Sequence, residues 1–322
     1  MKKDKLLTMY RVAKLYYHEH LSQNEIAQKE GTSRSQISHL LVEARKCGIV
    51  EINVHLPESA KLHEKEEIIR SFLSLEKVQI LPCSLSNNHH TDSLMKNAAS
   101  AAAMILPGLL KDSHIIGIGR GQTIFETSLC LPFTPSPSPK TFIPLVGDSG
   151  NNYSYLQTSS IVNRFAIQFQ SNGFYINSPA LTTAESTPFQ EATFHQLHQY
   201  WDEMDTAVLT VGNCSHTVVS YKGEDVPLAF LLQTPDILQQ AKGEMFGRPY
   251  SAEGEIIVPK MNDSPYRFVA IPLQKLKEIK NVICIACSAE KIQPLIAAAQ
   301  LGYYKTLVID QYTAEEMLRQ FP

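Results

Sequence analysis

The segment GTSRSQISHLL, Gly31 to Leu41, concentrates side chains that can read a nucleic acid by hydrogen bonding. Arginine, glutamine and serine carry donors and acceptors that pair with the guanine and adenine edges exposed in the major groove of DNA. We predict base contacts near the start and on one face of this segment, and phosphate contacts by two basic residues farther along. The predicted DNA-binding residues are Ser33, Arg34, Ser35, Gln36, Ser38, His39, Arg45 and Lys46.

A pair of short helices must position these side chains. Ser22 followed by Glu25, and Ser33 followed by Gln36, are two capping boxes, in which a hydroxyl and a carboxyl or amide satisfy the free N–H groups that open a helix. Gly31 lies between them, where a left-handed residue ends a helix tightly. This spacing predicts a helix-turn-helix whose second helix enters the groove. The alternative is a surface helix whose polar side chains are only solvated.

The neighbouring segments extend this unit to residues 1–56. Leu6, Tyr10, Ala13 and Tyr17 recur at helical spacing and predict an amphipathic helix over residues 4–20. IVEINVHL, residues 49–56, alternates apolar and polar side chains as a half-buried strand of a small wing would. The predicted fold of residues 1–56 is an all-α, winged helix-turn-helix DNA-binding domain.

Charge and composition limit the partners. Residues 1–56 hold nine Lys and Arg against six Asp and Glu, whereas the remaining residues hold 20 against 26. A basic head on an acidic body favours an anionic partner for the head, although the excess is small. No run approaches the roughly 20 apolar residues of a membrane span, and the N-terminus turns polar too soon for a secretory signal. We therefore predict a cytoplasmic protein with no membrane partner.

Cysteine and histidine spacing gives little sign of a metal. Cys284 and Cys287 have the spacing of a redox or metal pair, but they lie in the apolar run NVICIAC. Positions three apart on a strand face opposite sides, so we predict small core residues there. His195 and His198 share a predicted helix face without a third ligand. No metal site and no cofactor are predicted.

Strand-like and helix-like runs alternate from Lys77 onward. This order predicts that residues 57–322 form an α/β domain with a largely parallel, Rossmann-like sheet. A connecting helix is expected at about residues 57–75, with one apolar side formed by Leu62, Ile69, Phe72 and Leu73. Pairing with its copy in a second subunit and packing on its own body are equally consistent with that pattern.

Ligands of such sheets collect outside the carboxyl ends of the strands, where helix N-termini present free N–H groups to anions. Three stretches fit this position: Gly117 to Thr123, Leu145 to Asn152 and Ser288 to Lys291. Lys291 would lie in the first turn of a helix, where the helix dipole disfavours a cation. A bound phosphate would explain that placement, and a solvated lysine is the alternative.

The chain resembles the SorC family of sugar-binding transcriptional regulators over nearly its whole length. The resemblance is carried by the head LSQNEIAQKEGTSRSQISHLLVEARKCGIVEINV and then, in order, by GIGRGQT, IPLVG, AKGEMFGRPYSAEGEI, MND and EKIQPLIAAAQLGYYKTLVIDQYTAEEML. It implies a repressor or activator of a carbohydrate operon. It also implies a body like sugar-phosphate isomerases and glucosamine-phosphate deaminases in fold, a phosphorylated sugar as effector, and homodimers or homotetramers on palindromic operator DNA.

The resemblance also implies an effector site. The phosphate would be held by the GRGQT loop and Lys291, and the remaining residues would line the sugar. The implied effector-binding residues are Gly119, Arg120, Gly121, Gln122, Thr123, Gly147, Asp148, Gln157, Glu244, Asn262, Asp263 and Lys291.

Several positions depart from the family pattern. Arg120 stands where relatives usually have an aromatic residue, and Asp148 replaces a glycine. Some relatives carry a lysine or arginine where Val146 stands. Because valine has no amino group, a Schiff base with the sugar is excluded at that position. Cys287 and Ser288 replace paired glycines. These changes leave the identity of the effector open.

An enzyme fused to a DNA-binding head is the alternative function. Isomerase or deaminase chemistry needs a base and an acid within hydrogen-bond reach of the substrate, for which Glu244, Asp263 and His216 are the candidates. Carboxylates that line a sugar pocket more often bind hydroxyls, and a shared fold carries no chemistry by itself. We therefore predict a regulator without catalytic residues, in which the effector alters the spacing of two heads in a dimer.

Overall fold

The computed structural model describes residues 3–51, 59–82, 91–148, 157–183, 188–214, 218–221, 224–227, 240–254 and 266–321. The chain divides into two compact units, Met1–Pro57 and Glu58–Pro322, which we call the head and the body.

The described part of the head contains α1 (Lys3–Tyr17), α2 (Gln23–Lys29) and α3 (Arg34–Lys46). Ser22 opens α2 with the predicted capping box. Its hydroxyl accepts from the N–H of Glu25 at 3.3 Å, and the Glu25 carboxylate accepts from the N–H of Ser22 at 2.8 Å. Gly31 has φ of +64°, and the N–H of Thr32 donates to the Ala27 carbonyl at 2.9 Å, so α2 ends in the predicted left-handed turn.

The second capping box forms only in part. The Ser33 hydroxyl accepts from the N–H of Gln36 at 3.2 Å, but the Gln36 side-chain oxygen accepts from the Thr32 hydroxyl at 2.8 Å. The predicted reciprocal bond to Ser33 is therefore wrong. A neutral amide binds a backbone N–H less strongly than a carboxylate does, and the adjacent hydroxyl competes for it.

The buried face of α1 also differs from the prediction. Met9, Val12 and Leu15 are buried together with Ala13, whereas Leu6 and Tyr10 are 37% and 60% exposed. Two apolar stripes overlap on this helix, and the stripe through Met9 and Val12 enters the head core with α3. Of the predicted wing, residues 49–51 are described, and residues 52–56 lie outside the described part of the chain.

The body alternates strands and helices. In chain order it contains α4 (Ser59–Leu73), β1 (Lys77–Leu81), α5 (Thr91–Leu109), β2 (Ile115–Ile118), α6 (Gln122–Leu129), β3 (Thr141–Pro144), α7 (Thr158–Gln168), β4 (Asn172–Gly173), β5 (Leu181–Thr183), α8 (Pro188–Glu203), β6 (Thr206–Leu209), β7 (Val218–Tyr221), β8 (Glu224–Pro227), β9 (Gly243–Met245), β10 (Arg248–Tyr250), β11 (Tyr266–Phe268), β12 (Asn281–Ala286), α9 (Ile292–Gln300), β13 (Thr306–Asp310) and α10 (Gln311–Leu318). Short 3₁₀ helices span Leu273–Lys277 and Ala289–Lys291.

The main sheet has the order β1-β13-β12-β6-β2-β3-β4, and each neighbouring pair is parallel. Helices α4, α8, α9 and α10 contribute to the core on one face, and α5, α6 and α7 to the core on the other. Alternate residues of each strand serve the two faces, as Cys284 and Ile285 of β12 do. The predicted α/β body with a parallel sheet is confirmed.

The two cysteines in and directly after β12 lie in the core, as predicted. Cys284 and Cys287 are 0% and 4% exposed. Burial raises the pKa of the Cys284 thiol to about 12, which keeps it protonated.

Helix α4 packs on its own body. Leu62, Ile69 and Leu73 join the body core, and the Glu66 carboxylate accepts from the N–H of Ile80 at 2.8 Å. Phe72 was predicted on the same apolar side but is 43% exposed. None of the described helices is long and apolar enough to cross a membrane.

Candidate DNA-reading helix and anion site

Helix α3 keeps its polar side chains on the surface. All eight predicted DNA-binding residues, Ser33, Arg34, Ser35, Gln36, Ser38, His39, Arg45 and Lys46, are exposed. Ile37, Leu41 and Ala44 face the core of the head. The buried stripe therefore fixes the helix while the opposite surface stays free to enter a groove.

The single acidic side chain of α3 is neutralised. The Glu43 carboxylate pairs with the Lys5 ammonium of α1 at 2.8 Å, and this interaction lowers the pKa of Glu43. His39 lies 3.8 Å from the same carboxylate. An unpaired carboxylate here would repel phosphates, so the ion pair preserves the attraction of Arg45 and Lys46 for an anionic strand.

The strand order sets the position of a ligand site in the body. From β2 the chain continues to β3 on one side, and from β6 it continues to β12 on the other, although β2 and β6 are neighbours. Ligands of open α/β sheets bind outside the carboxyl ends of the strands at such a switch point. The residues after β2 and β6 therefore border the expected crevice.

Lys291 joins the two sides of this switch point. Its Nζ donates to Oγ1 of Thr123 at 3.0 Å and to Oγ1 of Thr210 at 3.1 Å. Thr123 is in the first turn of α6, and Thr210 follows β6 directly. Two predicted site residues, Thr123 and Lys291, thus meet. Thr210 was not predicted as a site residue. The sequence feature that could have indicated it is a hydroxyl directly after an apolar strand.

The loop before α6 needs its glycines. Gly121 has φ of +128° and, without a side chain, cannot cap the helix that it precedes. A Cβ at Gly119 would lie 3.2 Å from Cα of Leu209 and from Cε1 of Phe246. Gln122 is exposed at the start of α6. No side chain of the described residues caps α6, and the free first N–H groups of such a helix attract anions.

Two other helices that follow strands receive carboxylates from the chain itself. Asp148 accepts from the N–H of Ser159 in α7 at 2.8 Å, and Asp310 accepts from the N–H of Thr313 in α10 at 2.9 Å. Their N-termini are therefore already neutralised. This difference distinguishes the start of α6 from those of α7 and α10.

Arg120 and Asp148 come together beside β3. Arg120 is 8% exposed, and its Nη1 donates to the Gly147 carbonyl at 3.3 Å. Burial raises the pKa of Asp148, while hydrogen bonds from Ser159 and the charge of Arg120 offset part of that rise. A Cβ at Gly147 would lie 2.7 Å from the Pro179 carbonyl carbon, so a glycine is required there. The positive charge of Arg120 therefore helps to stabilise the buried Asp148 carboxylate.

The remaining predicted site residues are divided. Gln157 is half-buried directly before α7. Glu244 of β9 pairs through its backbone with Gly212, and its carboxylate accepts from the N–H of Gly247 at 2.8 Å. Asn262, Asp263 and His216 lie outside the described residues.

Sequence analysis also missed Arg248. Its guanidinium donates to the carbonyls of Ala270 and Ile271, and burial lowers its pKa to about 10. Ala270 pairs with Val146 just after β3, so Arg248 supports this edge of the site. An arginine in a short hairpin carries no sequence signal of such a role.

Comparison with known proteins identifies the family. Residues 58–319 match the sugar-binding domain family, Sugar-bind. The sorbitol operon regulator of Klebsiella pneumoniae is 23% identical over 322 residues, which cover 98% of this chain and 99% of that one. The deoxyribonucleoside regulator of Bacillus subtilis (strain 168) is 24% identical over 330 residues and 99% of each chain.

The full-length structure of the sorbitol operon regulator SorC from Klebsiella pneumoniae is similar with a TM-score of 0.75 at 22% identity, covering 98% of this chain and 100% of that one. The family match runs from α4 to the end of α10 and so includes the strand ends that surround Lys291. The chain belongs to the SorC family of sugar-binding transcriptional regulators.

Proposed function

We propose that this protein is a DNA-binding transcriptional regulator of a carbohydrate-utilisation operon, controlled by a phosphorylated sugar that binds to the body. The observation that carries the proposal is the position of Lys291, whose ammonium lies between two hydroxyls at the switch point of the sheet, beside the start of α6. Family relatives named as sorbitol operon and deoxyribonucleoside regulators support the same class of function.

The geometry suits a phosphate monoester. Among the described residues, both hydrogen-bond partners of Lys291 are neutral hydroxyls, so its charge remains available to a dianion. The first N–H groups of α6 add donors, because Gly121 precedes the helix without a side chain that could cap it. Arg120 or Gln122 would add a further donor to the phosphate, and Gly147, Asp148, Gln157 and Glu244 would line the sugar.

The head would read a palindromic operator as part of a homodimer or homotetramer. Exposed Arg34, Gln36 and Ser38 suit base edges, and Arg45 and Lys46 suit phosphates. Effector binding would alter the spacing of two heads and hence the affinity for the operator.

Binding without turnover fits the carboxylates better than catalysis does. The Glu244 carboxylate accepts from Gly247, and both oxygens of Asp148 accept from Ser159. A general base needs a lone pair directed at the reacting atom of the substrate, so these bonds favour a binding role over a catalytic role for both groups. Turnover of pentose or hexose phosphates in steady-state assays would contradict this part of the proposal.

The decisive experiment is a thermal-shift screen of pentose and hexose phosphates. A ligand that prefers the native state raises the unfolding temperature. We expect at least one sugar phosphate to stabilise the wild type and not Lys291→Met, while Lys111→Met, at a lysine that is 74% exposed, responds like the wild type. If no sugar phosphate shifts the wild type, the effector class is wrong.

Fluorescence anisotropy with operator DNA tests the coupling. The stabilising sugar phosphate should change the affinity of the wild type for the operator and leave that of Lys291→Met unchanged. A sugar phosphate that binds the wild type without changing operator affinity would contradict the regulatory role.

A further inference from the structure

Ser288 is strained at the edge of the anion site. It has φ of +109°, in the region that favours glycine. Non-glycine residues persist in such conformations only where the surrounding structure holds them, and strain of this kind clusters at functional sites. Ser288 opens the 3₁₀ turn Ala289–Lys291, so the strained residue directly precedes the turn that carries Lys291.

A buried pair on α10 holds this residue. The N–H of Ser288 donates to Oγ1 of Thr313 at 2.8 Å, and the Thr313 hydroxyl donates to Oδ2 of Asp310 at 2.5 Å. Thr313 and Asp310 are 0% and 1% exposed. Because the hydroxyl proton is committed to the carboxylate, a lone pair of the Thr313 oxygen is available to the N–H of Ser288.

The direction of Lys291 follows from the backbone of Ser288. The N–H of Lys291 donates to the Ser288 carbonyl at 3.1 Å, which closes the turn. If Ser288 relaxed to a negative φ, this turn would leave β12 in another direction. The Lys291 ammonium would then lose its contacts with Thr123 and Thr210.

We propose that Thr313, oriented by Asp310, is a positioning residue for the anion site, because it holds the strained Ser288 turn that directs Lys291 to Thr123 and Thr210. The inference rests on the proposed function for the nature of the bound anion, but the placement of Lys291 can be measured without any ligand. A simple cap of α10 is the competing role, in which loss of Thr313 lowers stability without moving Lys291.

The first experiment measures acetylation of Lys291 by acetic anhydride in the full-length protein, with peptide mass spectrometry and Lys111 as the internal reference. Loss of one buried hydrogen bond should raise the labelling of Lys291 in Thr313→Val by about fivefold or more. Thr313→Ser keeps the hydroxyl and should label like the wild type. Far-UV circular dichroism checks folding, and Thr313→Ala replaces Thr313→Val if the valine variant does not fold.

A matched pair of double variants isolates the strain. Both Ser288→Gly and Ser288→Ala remove the hydroxyl, but only glycine tolerates a positive φ without cost. In the Thr313→Val background, Ser288→Gly should return Lys291 labelling most of the way to the wild-type level, and Ser288→Ala should not. Unchanged labelling in folded Thr313→Val, or equal rescue by both substitutions, would overturn the inference.

Binding of inorganic phosphate, measured by isothermal titration calorimetry, separates this inference from the proposed function. If the wild type binds phosphate and Lys291→Met does not, Thr313→Val should bind about fivefold more weakly and regain affinity with Ser288→Gly. Wild-type affinity in Thr313→Val would overturn the inference. If the wild type binds no phosphate, the anion site fails, and the labelling result alone still decides whether Thr313 positions Lys291.

Discussion

The DNA contacts that we propose for α3 are of two kinds. Arg34 stands at the start of the helix, where a bidentate contact with a guanine edge is possible, whereas Lys46 stands near its end. A base contact discriminates between sequences and a phosphate contact does not. Replacement of Arg34 and replacement of Lys46 should therefore change operator binding in different ways.

Replacing Arg34 with Ala should weaken operator binding by about 1–3 kcal/mol and relax base choice at one position. Lys46→Ala should weaken all sequences alike and make binding less dependent on salt. Fluorescence anisotropy with operator, single-base variants and random DNA measures both effects, with Arg319→Ala on the body as the control. Equal loss of affinity for every sequence in Arg34→Ala would contradict the assignment of Arg34 to base reading.

Asp148 makes the stability of the body depend on pH. Burial raises the pKa of its carboxyl in the folded chain. A raised pKa stabilises the folded state below the unfolded value of about 3.9, and that contribution is lost as the pH rises through the folded pKa. The stability of Asp148→Asn relative to the wild type should therefore increase as the pH is raised above about 4.

Urea unfolding midpoints of the wild type and Asp148→Asn across this pH range measure the trend, with Asp112→Asn, at a side chain that is 87% exposed, as the control. If the difference in midpoint between the wild type and Asp148→Asn stayed constant with pH, burial would not raise the pKa of Asp148.

Among the elements, α4 follows the head in sequence but packs with the body. Its apolar side enters the body core, and Glu66 accepts from the N–H of Ile80 at 2.8 Å. Among the described residues, adjacent Glu67 pairs with Arg70 of the same helix at 2.7 Å. The Glu66 carboxylate therefore connects α4 to the sheet, whereas the Glu67 carboxylate makes a contact within α4.

Glu66→Ala should lower the free energy of unfolding by about 1.5–3 kcal/mol, because it removes a charged hydrogen bond to a backbone N–H. Glu67→Ala should change it much less, because exposed ion pairs within a helix contribute little to stability. Urea unfolding of both variants measures the contrast. Similar losses in the two variants would show that the Glu66 bond does not anchor α4.

The sequence predicted the elements better than their contacts. The alternation of strands and helices was readable because apolar runs and helix starts are local features, as was the turn at Gly31. The buried face of α1 was not, since the stripes through Leu6 and through Met9 both have helical spacing and only packing on α3 decides between them. Contacts such as that of Phe72 with Phe321, whose rings stack 3.8 Å apart, join residues far apart in the chain.

At the scale of the whole molecule, strand order assembles the site. Thr123, Thr210 and Lys291 follow β2, β6 and β12, which are successive neighbours in the sheet. Thr210 is 87 positions from Thr123 and 81 positions from Lys291 in the sequence. The three residues meet because β6 lies between β2 and β12 in the sheet. The sequence predicted Thr123 and Lys291 through helix starts, but Thr210 required the sheet order.

If the effector is a phosphorylated sugar, as proposed, the carboxylates of Asp148 and Asp310 should limit how many phosphoryl groups the ligand can carry. A second phosphoryl group could be held by another helix start, but the starts of α7 and α10 already hold aspartates that would repel it. In a displacement titration, a bisphosphorylated sugar should accordingly bind no more tightly than the matching monophosphate. The discrimination would be built into the scaffold rather than into the residues that touch the sugar.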